Sequence, residues 1–270
     1  QDWRSVLLGN QPEPSIAESV GVYLGQIAAR TGPLSLPTQR ANRLRRRFTN
    51  SAMQHFTERE VFVTPYRSDQ LSNWPDGFGD VAVRIQQDRS ARSQASLAQW
   101  LFRTSAEAVL HGDLHTGSVM VGGGARPRII DLEFAFPGPI AFDSGTFVAH
   151  LLLARIRRAT LGLDTTSSDE SAAAFWEAFV TSLRAAASGP ISDSFVLDLL
   201  GNSRIFAATE ILRRIGGRFH IDDLESLTPA DQGIAYRHAI DSWAALTGAP
   251  RLTSFGQLWE LAADPRKEYR

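Results

Sequence analysis

The 270-residue sequence predicts a mainly α-helical fold with a small β-hairpin insertion, and three features carry that prediction. Residues 15 to 30 place Ile16, Val20, Tyr23, Leu24 and Ile27 at helical spacing. Beyond Gly138-Pro139 nearly every stretch keeps a helical period. Between these regions, residues 119 to 121 and 128 to 130 read as two short strands around Gly122-Gly123-Gly124. No internal repeat or linker divides the chain, so a single domain over 1 to 270 is expected.

Each element follows from local signals. Residues 1 to 14, ending in Gln11-Pro12-Glu13-Pro14, read as irregular. The helix of 15 to 30 stops at Thr31-Gly32-Pro33. Residues 39 to 57 hold the run Arg43-Leu44-Arg45-Arg46-Arg47, which reads as a solvated helix face rather than a phosphate site. FTEREVFVTPYR, 56 to 67, reads as a short ordered connector. The stretch 68 to 90 is rich in Asp, Gly, Asn and Pro and reads as a loop holding a short element. A helix over 92 to 108 is expected to turn Leu97, Trp100 and Leu101 inward. The three glycines join strands and lack a following Lys-Ser/Thr, so they read as a hairpin turn rather than a phosphate cradle. Asp143 precedes an apolar helix with Phe147, Val148, Leu151 and Leu152. Ser167 and Glu170 have capping-box spacing before a helix holding Phe175, Trp176 and Phe179. A long helix over about 192 to 215 stops at Gly216-Gly217. Thr228-Pro229 opens another that ends near Gly248, and Thr253 opens the last.

Composition bounds the function. Apolar residues make up 43% of the chain and charged residues 21%, as in ordinary soluble globular proteins. A net charge of −1 gives no reason to expect nucleic acid or an anionic membrane as partner. The absence of cysteine excludes disulfides, thiolate catalysis and Cys-based zinc sites. No apolar run is long enough to span a bilayer and no secretory segment is seen, so a cytoplasmic protein is expected. The sole lysine is Lys267, and the chain starts at Gln1, so it reads as a piece of something longer.

The chemistry concentrates in residues 109 to 136, VLHGDLHTGSVMVGGGARPRIIDLEFAF. One loop offers Asp113 and another Asp131 and Glu133, and a hairpin would bring the two together. Crowded carboxylates resist ionising unless a cation lies between them, so the arrangement suggests Mg²⁺ held on a phosphate. Asp113 could accept the proton of an attacking hydroxyl, and taken alone could equally be a turn residue. Asp131-Leu132-Glu133 sets two carboxylates on one side of an extended segment. His111 reads as a buried brace for the loop, and His115 stays open.

HGDLHTGS followed by IIDLEFAFPGPIAFDSG resembles the paired signature of the 5-methylthioribose kinase family. That family belongs to the aminoglycoside phosphotransferase and choline kinase group, with a protein-kinase-like fold. FTEREVFVTPY and ATEILRRIGGRFHIDDLE resemble further segments of it, so the likeness runs from about residue 10 to 260. The resemblance implies an ATP- and Mg²⁺-dependent phosphotransferase acting on a small sugar hydroxyl, in methionine salvage. Asp113 would be the catalytic aspartate and would contact the substrate. Asp131 would bind Mg²⁺, supported by Glu133. Ser118 stands where many relatives carry a metal-binding asparagine and is assigned a metal contact. Arg213 and Arg214 would bind sugar hydroxyls or the transferring phosphoryl group. Read without the resemblance, they are arginines favoured by a helix C-terminus. Asp143 would brace the catalytic loop through its backbone.

A kinase of this fold clamps ATP under a glycine-rich β lobe that carries a lysine. No glycine-rich loop precedes a strand before residue 109, so the resemblance covers the helical C-terminal lobe and the N-terminal β lobe is not evident. That lobe is expected elsewhere, on the same or another polypeptide. The alternatives are a repurposed one-lobe metabolite-binding relative, or a kinase for another small alcohol such as an aminoglycoside. A homodimer is suggested by the resemblance alone.

Overall fold

The computed structural model describes residues 1–9, 13–68, 72–122 and 126–265. Gly123, Gly124 and Lys267 therefore lie outside the described residues, as do Gln11, Pro12 and positions 69–71. The observed architecture is a helical body with one small β region, as expected from the sequence. Buried apolar residues from Trp3 to Ala263 form one contiguous cluster.

The first element corrects the sequence reading. Residues 1 to 14 were expected to be irregular, yet Trp3–Gly9 is a helix, α1. Its only inward residues are Trp3 and Leu7, a single helical repeat too short to reveal a period. Trp3 is fully buried and stacks on Phe147 with ring centroids 6.0 Å apart. Removing so large a buried ring leaves a cavity, so Trp3→Ala is expected to cost about 3–5 kcal/mol. Urea unfolding reads this directly, and a loss below about 1 kcal/mol would mean that α1 is not docked.

Helix α2 (Pro14–Thr31) has proline in its first turn and buries Ile16, Val20 and Leu24. A Cβ at Gly21 would sit 2.3 Å from the Phe175 carbonyl oxygen, so this helix approaches its partner backbone to backbone. Helix α3 (Thr38–Arg47) carries the arginine run, with Arg43, Arg46 and Arg47 exposed. Helix α4 (Ser51–Phe62) absorbs most of the segment expected as a connector, and a single 3₁₀ turn over Thr64–Tyr66 takes the rest. Buried Glu60 interrupts the apolar pattern there and hid the helix. Helices α5 (Gly79–Gln87) and α6 (Arg89–Thr104) follow, α6 capped by the Asp88 carboxylate.

The inward face of α6 is a second correction. It is Ala91, Ala95, Ala98 and Phe102, whereas Leu97 and Trp100 are 41% and 59% exposed and Leu101 is half-buried. Small residues at i, i+4 and i+7 let the helix pack closely, so residue size misled the phase assignment.

The β region is a hairpin within a hairpin. Strand β1 (Ala108–Leu110) pairs antiparallel with β4 (Phe136–Gly138), and β2 (Val119–Met120) pairs with β3 (Arg128–Ile129). The inner pair was expected from the sequence. The outer pair was not, because each strand has only three residues and proline and glycine occupy β4.

Helix α7 (Ile140–Thr160) is buried almost throughout, and Asp143 lies inside its first turn rather than ahead of it. Helix α8 (Thr166–Ala186) starts after Thr165, so Ser167 sits within the first turn and forms no capping box. Helix α9 (Asp193–Gly216) is capped by Ser192, and α10 (Asp222–Glu225) is one turn. Thr228 caps α11 (Pro229–Gly248), and Ser254, not Thr253, caps α12 (Phe255–Ala263). No described helix is long and apolar enough to cross a membrane.

Candidate active site

The site is built on the turn that follows β1. Asp143 is buried and accepts two backbone hydrogen bonds, from the His111 N–H at 2.7 Å and the Gly112 N–H at 3.0 Å. Burial raises its carboxyl above the usual range, against the pull of His111 and of both amides. His111 is buried as well, and its Nε2–H donates to the Ile130 carbonyl at 2.7 Å. Its Nδ1 then faces the Asp113 N–H at 3.4 Å. Asp143 and His111, both expected as braces, make these contacts with the loop backbone. Gly112 has φ +87°, and a Cβ there would lie 2.4 Å from the Phe134 carbonyl oxygen. Only glycine fits a left-handed backbone pressed against a second loop.

This brace presents Asp113 to the end of α9. Its Oδ1 lies 3.2 Å from Arg213 NH1 and 3.6 Å from Arg214 NH2. Its Oδ2 lies 3.5 Å from His115 Nε2. Burial would raise the Asp113 carboxyl, but Arg213, His115 and Arg214 together hold it well below the carboxylate range. Burial also lowers His115, so that ring is neutral at pH 7, and its Nδ1 accepts from the Ser118 N–H at 3.0 Å. The remaining proton therefore sits on Nε2, toward Asp113.

Glu210 and His150 belong to the same group and were missed in the sequence. Glu210 is fully buried, 3.1 Å from Arg213 NH1 and 2.6 Å from Arg214 Nε. His150 Nε2 lies 3.2 Å from the same carboxylate, and the His150 ring is 5.2 Å from that of His115. The available signal was the pattern EILRR, a carboxylate three and four residues before two arginines on an otherwise apolar helix.

The second acidic loop lies differently from the expectation. Asp131 and Glu133 are exposed, whereas Asp113 is half-buried. Among the described residues no group of three or more His, Asp or Glu side chains gathers closely enough to hold a metal ion. The three-carboxylate cluster inferred from the hairpin is thus not brought together. Two features still fit a cation. Mg²⁺ is commonly held by one or two carboxylates with substrate phosphates completing the shell, and Asp131 and Glu133 are hard oxygen donors open to solvent. Asp131 is also the one non-glycine residue with positive φ among the described residues, at 63°. Asn50 pins this loop, its side-chain amide donating to the Glu133 carbonyl at 2.8 Å. Ser118 is fully buried and its hydroxyl is engaged by the His115 N–H and carbonyl at 3.0 and 2.8 Å. It closes the 3₁₀ turn after the Asp113 loop, and nothing around it among the described residues supports the metal contact.

Comparison with known proteins places this geometry in context. A family model described as a phosphotransferase enzyme family matches residues 4–178. Methylthioribose kinase of Bacillus velezensis is 32% identical over 238 residues, which is 86% of this chain and 60% of that protein. Methylthioribose kinase of Geobacillus kaustophilus is 31% identical over 251 residues, 88% of this chain and 62% of that protein. The chain thus spans about 60% of the length of these curated relatives. A glucosamine kinase structure covers 92% of this chain and 50% of its own, with 15% identity and a TM-score of 0.33, a likeness too loose to build on.

Proposed function

Because the chain belongs to the phosphotransferase enzyme family, we propose that it is the acceptor-binding part of a cytoplasmic small-molecule kinase that phosphorylates a sugar hydroxyl. The acceptor is methylthioribose, the substrate in the names of the relatives. The observation that carries this reading is Asp113, held on a braced loop with its carboxylate between Arg213, Arg214 and His115.

In the proposed reaction the acceptor oxygen forms a bond to the γ-phosphorus of ATP. The bond from that phosphorus to the bridging oxygen breaks, ADP leaves, and the hydroxyl proton passes to Asp113. A carboxylate held far below its usual pKa is a weak base. Such a base suits a loose transition state in which the proton leaves late and positioning dominates. Arg213 and Arg214 face the charge on the transferred group. Asp131 and Glu133 would hold Mg²⁺, which supplies charge neutralisation on the nucleotide phosphates when bound. The left-handed backbone at Asp131 supports that role, since strained positions gather at functional sites. The nucleotide-clamping β lobe belongs to this reading as a separate segment.

The test is ADP release by the complete protein, with ATP and Mg²⁺, against methylthioribose, aminoglycosides and amino alcohols. The expected result is a kcat/KM for methylthioribose at least about 10²-fold above the other acceptors, since matched polar contacts discriminate at that level or better. Preference for another acceptor would reassign the substrate, and no turnover with any would end the kinase reading.

A further inference from the structure

Arg213 and Arg214 are two buried cations, 5% and 7% exposed, adjacent in one helix and close to the same aspartate. Successive helical residues point about 100° apart, so they converge on one place only if something outside the backbone turns them. Like charges at this depth also repel strongly. Burial and Arg213 together lower the Arg214 guanidinium, whereas Glu210 pulls it back.

The only carboxylate that hydrogen-bonds both, among the described contacts, is Glu210. One oxygen takes Arg214 Nε at 2.6 Å, and the other takes Arg213 NH1 at 3.1 Å. Glu210 is itself fixed by His150 Nε2 at 3.2 Å, from α7, the helix that also supplies Asp143. The loop brace and the arginine brace therefore hang from the same helix. Two buried nitrogens of this pair lack a hydrogen-bond partner among the described residues, Arg213 Nε and Arg214 NH2, the latter still facing Asp113 Oδ1 at 3.6 Å. Buried donors in native proteins almost always find an acceptor, which here is an oxygen of a bound ligand or of water.

We propose that Glu210 is a positioning residue that turns both guanidinium groups toward Asp113, where they meet the oxygens of the acceptor or of the transferring phosphoryl group. This rests on the kinase reading for the identity of the ligand, but not for the geometry of the arginines. Glu210 touches neither reactant. It acts by setting the angle and separation of two groups that do, and misplacement by about 1 Å is enough to cost about 10²-fold in rate. Its charge matters as well as its shape, because a neutral amide at 210 would leave two buried cations balanced by Asp113 alone.

The experiment uses the complete protein with Glu210→Gln and Glu210→Asp, each checked for folding by circular dichroism. Two readouts are taken: kcat and KM per folded molecule, and the arginine Nε–H signals of Arg213 and Arg214 by nuclear magnetic resonance without substrate. Glu210→Gln is expected to lower kcat/KM by at least about 10²-fold, with a raised acceptor KM contributing. It should also broaden the Arg214 Nε–H signal as that side chain is released. Glu210→Asp restores the charge with a shorter reach and is expected to recover at least about tenfold of the loss. Unchanged arginine signals in folded Glu210→Gln would overturn the proposal, as would folded molecules turning over at the wild-type rate. If the wild-type protein phosphorylates nothing, the kinase reading fails and the arginine signals alone decide.

Discussion

Replacing Asp113 with asparagine is expected to lower kcat/KM of the complete protein at least about 10²-fold while the chain stays folded. The rate falls because an amide presents one acceptor atom and an NH₂ group where the hydroxyl proton must go. Whichever way the amide turns, its NH₂ meets a donor, Arg213 NH1 at the oxygen 3.2 Å away or His115 Nε2 at the one 3.5 Å away. The fold survives because Glu210 still holds both guanidinium groups. Coupled ADP release reads the rate and thermal denaturation reads the fold. A variant that phosphorylated methylthioribose at the wild-type rate would remove Asp113 from the chemistry.

The same aspartate sets a pH expectation. Its folded pKa lies well below the ordinary 3.8 because the arginines and His115 outweigh burial. A depressed carboxyl contributes stability above its unfolded pKa and loses it as pH falls through the folded value. Asp113 is therefore ionised throughout the neutral range, and the wild-type rate should show no inflection from it between about pH 5 and 8. An inflection near pH 6 that vanished in Asp113→Asn would contradict this electrostatic account.

What the sequence could show and what it hid divide along physical lines. The loop at 111 to 113 was legible from a carboxylate set just after the apolar Val109-Leu110, whereas the positive φ of Gly112 and the pairing of β1 with β4 were not. Asp143 was recognised through the family likeness, and its contacts run across 31 and 32 positions to amides that carry no sequence signal. Glu210 was invisible for a related reason. A buried glutamate among apolar neighbours reads as noise until its partners are known to be turned inward. Trp3 and the alanine face of α6 were missed because both depend on packing at close range, which periodicity of large residues does not report. The sharing of one ion by Asp113, Asp131 and Glu133 was misread in the opposite direction, since no such group of ligands gathers among the described residues. The hairpin does bring the two loops together, since Gly112 abuts the Phe134 carbonyl. Sharing a loop contact, however, does not bring the carboxylates themselves onto one ion, and Asp131 and Glu133 stay at the exposed edge.

Asp143→Asn should fail in the opposite way to Asp113→Asn, losing stability first and rate as a consequence. The wild-type carboxylate gives one oxygen to each of two buried amides, at 2.7 and 3.0 Å. Asparagine keeps one acceptor and sets an NH₂ group against the other N–H, leaving a buried donor unsatisfied. A hydrogen bond to a charged group contributes about 1.5–3 kcal/mol, and an orphaned buried donor costs about 1–3 kcal/mol, so a loss of about 2–4 kcal/mol in unfolding free energy is expected. The N–H released belongs to His111 or Gly112, the residues immediately before Asp113. Amide hydrogen exchange at those two positions should therefore speed up in the variant ahead of exchange in α9. The Asp113 carboxylate then loses its fixed aim, and kcat is expected to fall in the folded fraction too. An unfolding free energy within about 0.5 kcal/mol of wild type, together with unchanged exchange at 111 and 112, would show that the loop holds its shape without the α7 carboxylate. The positioning of Asp113 would then have to come from the α9 arginines alone, and the division of labour between the two helices would be wrong.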